Sequence, residues 1–85
     1  MKPSYLIKSV GWVQGVFECF NSSGDTLGYC IVGAICKSYG YGTMVSDCTC
    51  KNLSERAGVR DLVEWNDTPG RTKEEVIALL EKFGE

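Results

Sequence analysis

A Thr-x-x-Glu box standing directly before an apolar repeat fixes how this chain must fold near its C-terminal end. In Thr72-Lys73-Glu74-Glu75 the threonine hydroxyl and the Glu75 carboxylate can each satisfy a backbone N–H of the other. Glu74 and Glu75 also place negative charge where the helix dipole favours it. Val76, Leu79, Leu80 and Phe83 then recur at i, i+3, i+4 and i+7, which gives one apolar face, and Gly84 supplies a stop. The pattern predicts a helix over 73–83. Such a helix is stable only against a complementary apolar surface, so the rest of the chain has to build one.

With 85 residues, 44% of them hydrophobic and 24% charged, the chain is expected to form one domain, 1–85, with a small core. Its charges are segregated. Residues 1–50 hold only Lys2, Lys8, Glu18, Asp25, Lys37 and Asp47, whereas they carry Tyr5, Trp12, Phe17, Phe20, Tyr29, Tyr39 and Tyr41. A glycine- and aromatic-rich portion is therefore expected to pack against charged amphipathic helices. Leu53 and Ala57 before Gly58, then Val59, Leu62, Val63 and Trp65, predict two short helices at about 49–57 and 59–65. Asn66-Asp67-Thr68-Pro69-Gly70 reads as a turn. Val16, Phe17, Cys19 and Phe20 suit a strand, and Asn21-Ser22-Ser23-Gly24-Asp25 suits a turn onto Thr26–Tyr29. A buried helix from about Cys30 and a loop over Gly40-Tyr41-Gly42-Thr43 complete the reading. The expected architecture is mainly α: a small orthogonal domain of three to four short helices, with room for a β-hairpin near residues 12–29. An α+β arrangement is the alternative.

Several function classes are disfavoured by what the sequence lacks. The apolar run Tyr29–Cys36 is interrupted by Gly33 and falls far short of the roughly 20 residues that span a bilayer, so no membrane association is expected. The opening MKPSYLIKSV has no apolar h-region or cleavage site, which points to a cytoplasmic setting. Net charge is −2, and Lys51, Arg56 and Arg60 are the one local basic group, so nucleic acid is a poor candidate partner. Gly24, Gly28 and Gly33 have neither the lysine nor the spacing of a phosphate loop. No cofactor is expected.

Four pieces in chain order carry a resemblance: Gly11-Trp12-Val13-Gln14-Gly15, Cys30-Ile31-Val32-Gly33-Ala34, Trp65-Asn66-Asp67, and Arg71-Thr72-Lys73-Glu74-Glu75-Val76. Together they resemble a family of small bacterial and phage proteins known only as a domain of unknown function. The likeness covers about residues 11 to 83, and the last two pieces are its most specific part. It implies a fold and a bacterial or phage setting, which for a phage-encoded chain is the host cytoplasm, and no activity. The Gly40–Cys50 segment looks like an elaboration particular to this protein.

The chemistry-bearing residues are few. Histidine is absent, so Cys30 at a helix start has no imidazole base beside it, and the simpler reading is a core thiol. Cys19, Cys30, Cys36, Cys48 and Cys50 are odd in number and lack C-x-x-C spacing, so reduced, metal-free thiols are expected over a structural zinc site. Trp65-Asn66-Asp67 offers either a helix end and turn cap or, with Trp12 and Gln14, an aromatic-lined ligand pocket. No catalytic set is found, and an enzyme is not expected. The leading expectation is a non-enzymatic accessory protein that binds another protein through Tyr39, Tyr41, Phe17 and Phe20, aromatic types favoured at interfaces. A small-ligand or nucleotide-sequestering protein is the second reading, with Trp12, Tyr39, Tyr41 and Trp65 stacking a base; a thiol or zinc module is the third.

Overall fold

The computed structural model describes residues 1–85 and places the capped helix as the sequence predicts. Helix α5 (Lys73–Lys82) has Thr72 as its N-cap, with both halves of the capping box formed, and Phe83 as its C-cap. Four helices precede it: α1 (Pro3–Ser9), α2 (Ile31–Tyr39), α3 (Met44–Ala57) and α4 (Leu62–Asn66). Strands β1 (Glu18–Phe20) and β2 (Thr26–Tyr29) form an antiparallel hairpin between α1 and α2. Asn21 organises its turn, its side-chain oxygen accepting from the N–H groups of Ser23 and Asp25. The fold is thus mainly α with one hairpin. No helix is long and apolar enough to cross a membrane.

Helix α2 lies at the centre, packed against α1, α3 and α4. Ile31, Ala34 and Ile35 on α2 meet Ile7 of α1 and Val76 and Leu80 of α5, all wholly buried, and Leu53, Leu62 and Tyr29 extend the cluster. Helix α1 also packs along α5. The two chain ends meet there: the Ser4 N–H donates to the Glu85 carbonyl at 3.0 Å, and Lys8 pairs with Glu81 at 2.6 Å. That exposed ion pair orders the seam more than it stabilises it.

The helix count is five, where three to four were expected. Helix α1 is short, begins with Pro3 near its N-terminus and has no side-chain cap, so it carries few start signals. Helix α3 begins at Met44, five residues before the predicted start near 49, because Thr43 caps it by accepting from the Ser46 N–H. Its first turns leave Met44 and Val45 exposed and bury only Ser46, so no apolar stripe announced them. Residues 44–50, expected as part of a separate elaboration, are the first half of this helix. Helix α4 starts at Leu62 and not near 59, since Asp61 caps it by accepting from the Val63 and Glu64 N–H groups. Gly58, in the left-handed region at φ 70°, ends α3 as predicted.

Thr72→Ala should lower stability by about 1 kcal/mol, the usual cost of removing such a cap, as read from the denaturation midpoint. The Thr72 N–H, followed by the Thr72 hydroxyl and Arg71, holds the Glu75 carboxyl below its ordinary value of 4.5. A depressed folded-state value means that this contribution is present above pH 4.5 and is lost as the pH falls through the lower folded value. Stability of Glu75→Gln should therefore depend less on pH in that acid window than stability of the unaltered chain.

Candidate functional site

Asn66, the last residue of α4, is wholly buried and uses its entire amide. Its Oδ1 accepts from Trp12 Nε1 at 2.7 Å and from the Ile31 N–H at 2.9 Å. Its Nδ2 donates to the Val13 carbonyl at 3.1 Å and to Asp67 Oδ1 at 2.9 Å. An asparagine amide has two donors and two acceptor sites, so nothing is left over. Gln14 continues the clasp, its Nε2 donating to the carbonyls of Asn66 and Thr68 at 3.0 and 3.1 Å. Asp67 Oδ1 also accepts from the Gly15 N–H at 3.0 Å. The structure brings Trp12, Gln14, Asn66 and Asp67 together, as the sequence suggested. It joins them as a fastening between the 12–15 segment, the start of α2 and the end of α4, with Trp12 Nε1, Gln14 Nε2 and both amide atoms of Asn66 bonded to protein.

Trp65 is not part of that cluster. The Arg71 guanidinium stacks 3.9 Å from its ring centroid, while Arg71 Nε donates to the Trp65 carbonyl at 2.9 Å. Trp65 instead borders a separate hollow of about 250 Å³ with Arg60, Asp61 and Glu64. The expected grouping of Trp12 with Trp65 around one ligand therefore does not form.

The fastening positions a second feature. Cys30 caps α2, its Sγ accepting from the Gly33 N–H at 3.2 Å, while its own N–H donates to the Phe17 carbonyl at 3.0 Å. That carbonyl lies so close to α2 that a Cβ on Gly33 would stand 1.9 Å from its oxygen. Glycine is thus required where the hairpin leans on the helix. With the Phe17 backbone held against α2, the Val16 and Phe17 side chains face outward and are about half exposed. They frame an open pocket of about 440 Å³ with Gly15, Glu18, Phe20, Cys30, Val63 and Asp67.

Both Phe17 and Phe20, expected at a binding surface, lie in this pocket. Tyr39 and Tyr41, expected to act as a pair, are tied to different parts of the molecule. Tyr41 donates its hydroxyl to Glu18 Oε1 at 2.7 Å, beside the pocket, and Tyr39 donates to Glu85 Oε1 at 2.6 Å, at the seam of the chain ends. Burial and the hydrogen bond to Glu18 raise the Tyr41 pKa, so its hydroxyl stays protonated and keeps donating. The Thr26 hydroxyl, helped by Tyr41 and Lys37, holds the Glu18 carboxyl below its ordinary value, so Glu18 is ionised at neutral pH. Asp67 turns one carboxylate oxygen inward to Gly15 and Asn66; its Oδ2 has no hydrogen-bond partner within the protein.

Val16, Glu18 and Val63 are pocket residues that the sequence reading did not assign. Val63 had been grouped with the apolar positions of a core helix, yet α4 is so short that its apolar residues divide between core and surface. Glu18, the only acidic residue before Asp25, was the one available signal. Burial pushes the Cys30 thiol above its ordinary value despite the Gly33 and Val32 N–H groups, which makes it a capping group and not a reactive thiolate. Cys50 is likewise pushed up, to about 12, chiefly by burial and then by Cys36. No three of the Cys, Asp and Glu side chains gather closely enough to hold a metal ion.

The chain belongs to a family of unknown function, DUF6197, whose model matches residues 4–84. That match runs across residues 40–50, and it includes all of α1 after Pro3. No curated protein and no solved structure matches the chain.

Asn66→Ala would leave Trp12 Nε1, the Ile31 N–H and the Val13 carbonyl without their partner. At about 1–3 kcal/mol for each stranded group, the loss should be ~3 kcal/mol or more, seen as a fall in Tm of over about 10 °C. Gln14→Ala, at an exposed position, should cost about 1 kcal/mol. Gly33→Ala should also destabilise, by roughly 1–3 kcal/mol through overpacking, although glycine-to-alanine changes inside a helix ordinarily stabilise.

Proposed function

We propose that this chain is a non-enzymatic accessory protein that acts by binding another protein through the pocket beside the hairpin. The observation that carries this reading is the exposure of Phe17 and Phe20, 54% and 56%, in the lining of that pocket. A half-exposed aromatic pair is costly to leave in water, and a protein side chain seated in the pocket against the rings would remove much of that area from solvent. Val16 and Val63, also exposed, widen the apolar surface. In the bacterial or phage setting that the resemblance implies, the natural partner is a host protein whose activity this chain modulates.

The alternatives find less support in the same geometry. A volume of about 440 Å³ would admit a small ligand. A nucleotide would meet two carboxylates and no lysine or arginine in the lining, so its phosphates would be repelled. Trp12 and Trp65, offered for base stacking, lie outside it. A thiol role would need an activated cysteine, and burial works against one at Cys30, Cys36 and Cys50.

The test is the double variant Phe17→Ser/Phe20→Ser. Both side chains are largely exposed, so the unfolding free energy should change by no more than about 1 kcal/mol. Immobilised wild-type chain should retain a stoichiometric protein from lysate of the native host, and the double variant should not. Retention of the same protein by both would remove the pocket from the reading.

A further inference from the structure

We propose that the pocket receives an extended segment of a partner protein, bearing apolar, basic and apolar side chains at successive alternate positions, which lies along the free edge of β1. This rests on the protein-binding reading above and specifies what is bound. The sheet order is β1–β2, and the other side of β2 is already taken: Trp12 bridges Tyr29, and the Val13 N–H donates to the Tyr29 carbonyl at 3.1 Å. Strand β1 pairs only with β2, and β2 is the one element it packs against extensively. Its outer side is therefore an open edge, and an edge strand presents backbone N–H and C=O groups that an added strand can satisfy.

Side-chain placement extends the argument. Glu18 and Phe20, at alternate positions of β1, line the pocket, as does Val16 in the bend that leads into the strand. A strand laid beside them would send alternate side chains toward the same face, because the side-chain period of a strand is two. Apolar side chains would fit against Val16, Phe17, Phe20 and Val63. A lysine or arginine would meet Glu18 and the unpartnered Oδ2 of Asp67, the only charged residues in the lining. Lys37 acts on Glu18 from outside the pocket and does not enter it. Charge complementarity thus favours a basic segment over an acidic one. It also disfavours a second copy of this chain, since two pockets face to face would bring together four carboxylates.

The experiment uses the full chain and three short fluorescein-labelled peptides. One carries leucine, lysine and leucine at successive alternate positions with threonine between them, the second has glutamate in place of that lysine, and the third is the leucine–lysine peptide N-methylated at every residue. Fluorescence anisotropy should show binding of the leucine–lysine peptide, with backbone amide shifts concentrated at residues 16–20 in NMR spectra. Glu18→Gln, checked for an unchanged fold by its amide spectrum, should weaken that binding roughly three- to fivefold, as expected for a solvent-accessible ion pair. Added salt should weaken it as well. The glutamate peptide should bind at least about tenfold more weakly, and the N-methylated peptide should lose binding because it cannot form the backbone ladder.

Equal binding of the lysine and glutamate peptides would overturn the charge assignment, and undiminished binding of the N-methylated peptide would overturn strand addition. Absence of binding by the leucine–lysine peptide overturns the proposal outright. A concentration-dependent dimer in sedimentation, abolished by Phe20→Ser, would make a second copy the occupant and overturn it too. These failures are distinct from failure of the protein-binding reading. If lysate capture is lost in Phe17→Ser/Phe20→Ser while the peptides do not discriminate, the pocket stands and the segment chemistry falls.

Discussion

One buried amide holds three separate stretches of this protein in register. Asn66 accepts from an indole N–H and from the first backbone N–H of α2, and it donates to a carbonyl of the segment that follows α1. A buried polar group is costly unless every valence is met, and here all four are. The requirement is geometric as well as energetic. Leucine would fill a similar volume but would strand the Ile31 N–H at a helix start, where no intrahelical partner exists. The polar network therefore specifies which loop and which two helix ends meet, and the apolar cluster of Ile7, Ile31, Ile35, Val76 and Leu80 supplies the driving force beneath it.

The pocket is a by-product of the same arrangement. Clasping residues 12–15 against α4 and pressing the Phe17 carbonyl onto Gly33 leaves the chain no depth in which to bury Val16 and Phe17. Small domains have little interior, and side chains attached to backbone that is itself in close contact with a helix must point out. The exposed aromatics follow from the backbone path. Glu18, tied to Thr26 and Tyr41, stands at the rim with its charge fixed in place.

How far the sequence could be read depended on whether a signal was local. The Thr72–Glu75 box, the Asn21–Asp25 turn and the Gly58 stop each act through neighbouring residues, and each appears as expected. The buried helix from Cys30 was legible because its apolar face is nearly continuous. Helix α1 and the first turns of α3 were not, because α1 is held by packing on α2 and α5, while the start of α3 is solvated and shows no periodicity. The association of Trp12 and Gln14 with Asn66 and Asp67 was anticipated from residue type, yet its character as a closed clasp depends on hydrogen bonds across more than fifty residues of chain. Tyr39 and Tyr41 looked like a pair because they are two apart in sequence. The left-handed Gly40 between them, at φ 105°, sends the chain in a new direction and separates their hydroxyl partners.

The seam between α1 and α5 has a consequence for how the domain comes apart. Ser4 and Glu85 are bonded across nearly the whole sequence, and Val76 and Leu80 of the last helix complete the core that Ile7 of the first helix begins. Closing a loop of that length costs more entropy than any local turn, and the cost is recovered only when both helices are docked. Neither helix contributes to a core of its own. A proteolytic nick that frees either one opens the only apolar cluster the protein has, so the chain behaves as a single cooperative unit with no surviving sub-fragment.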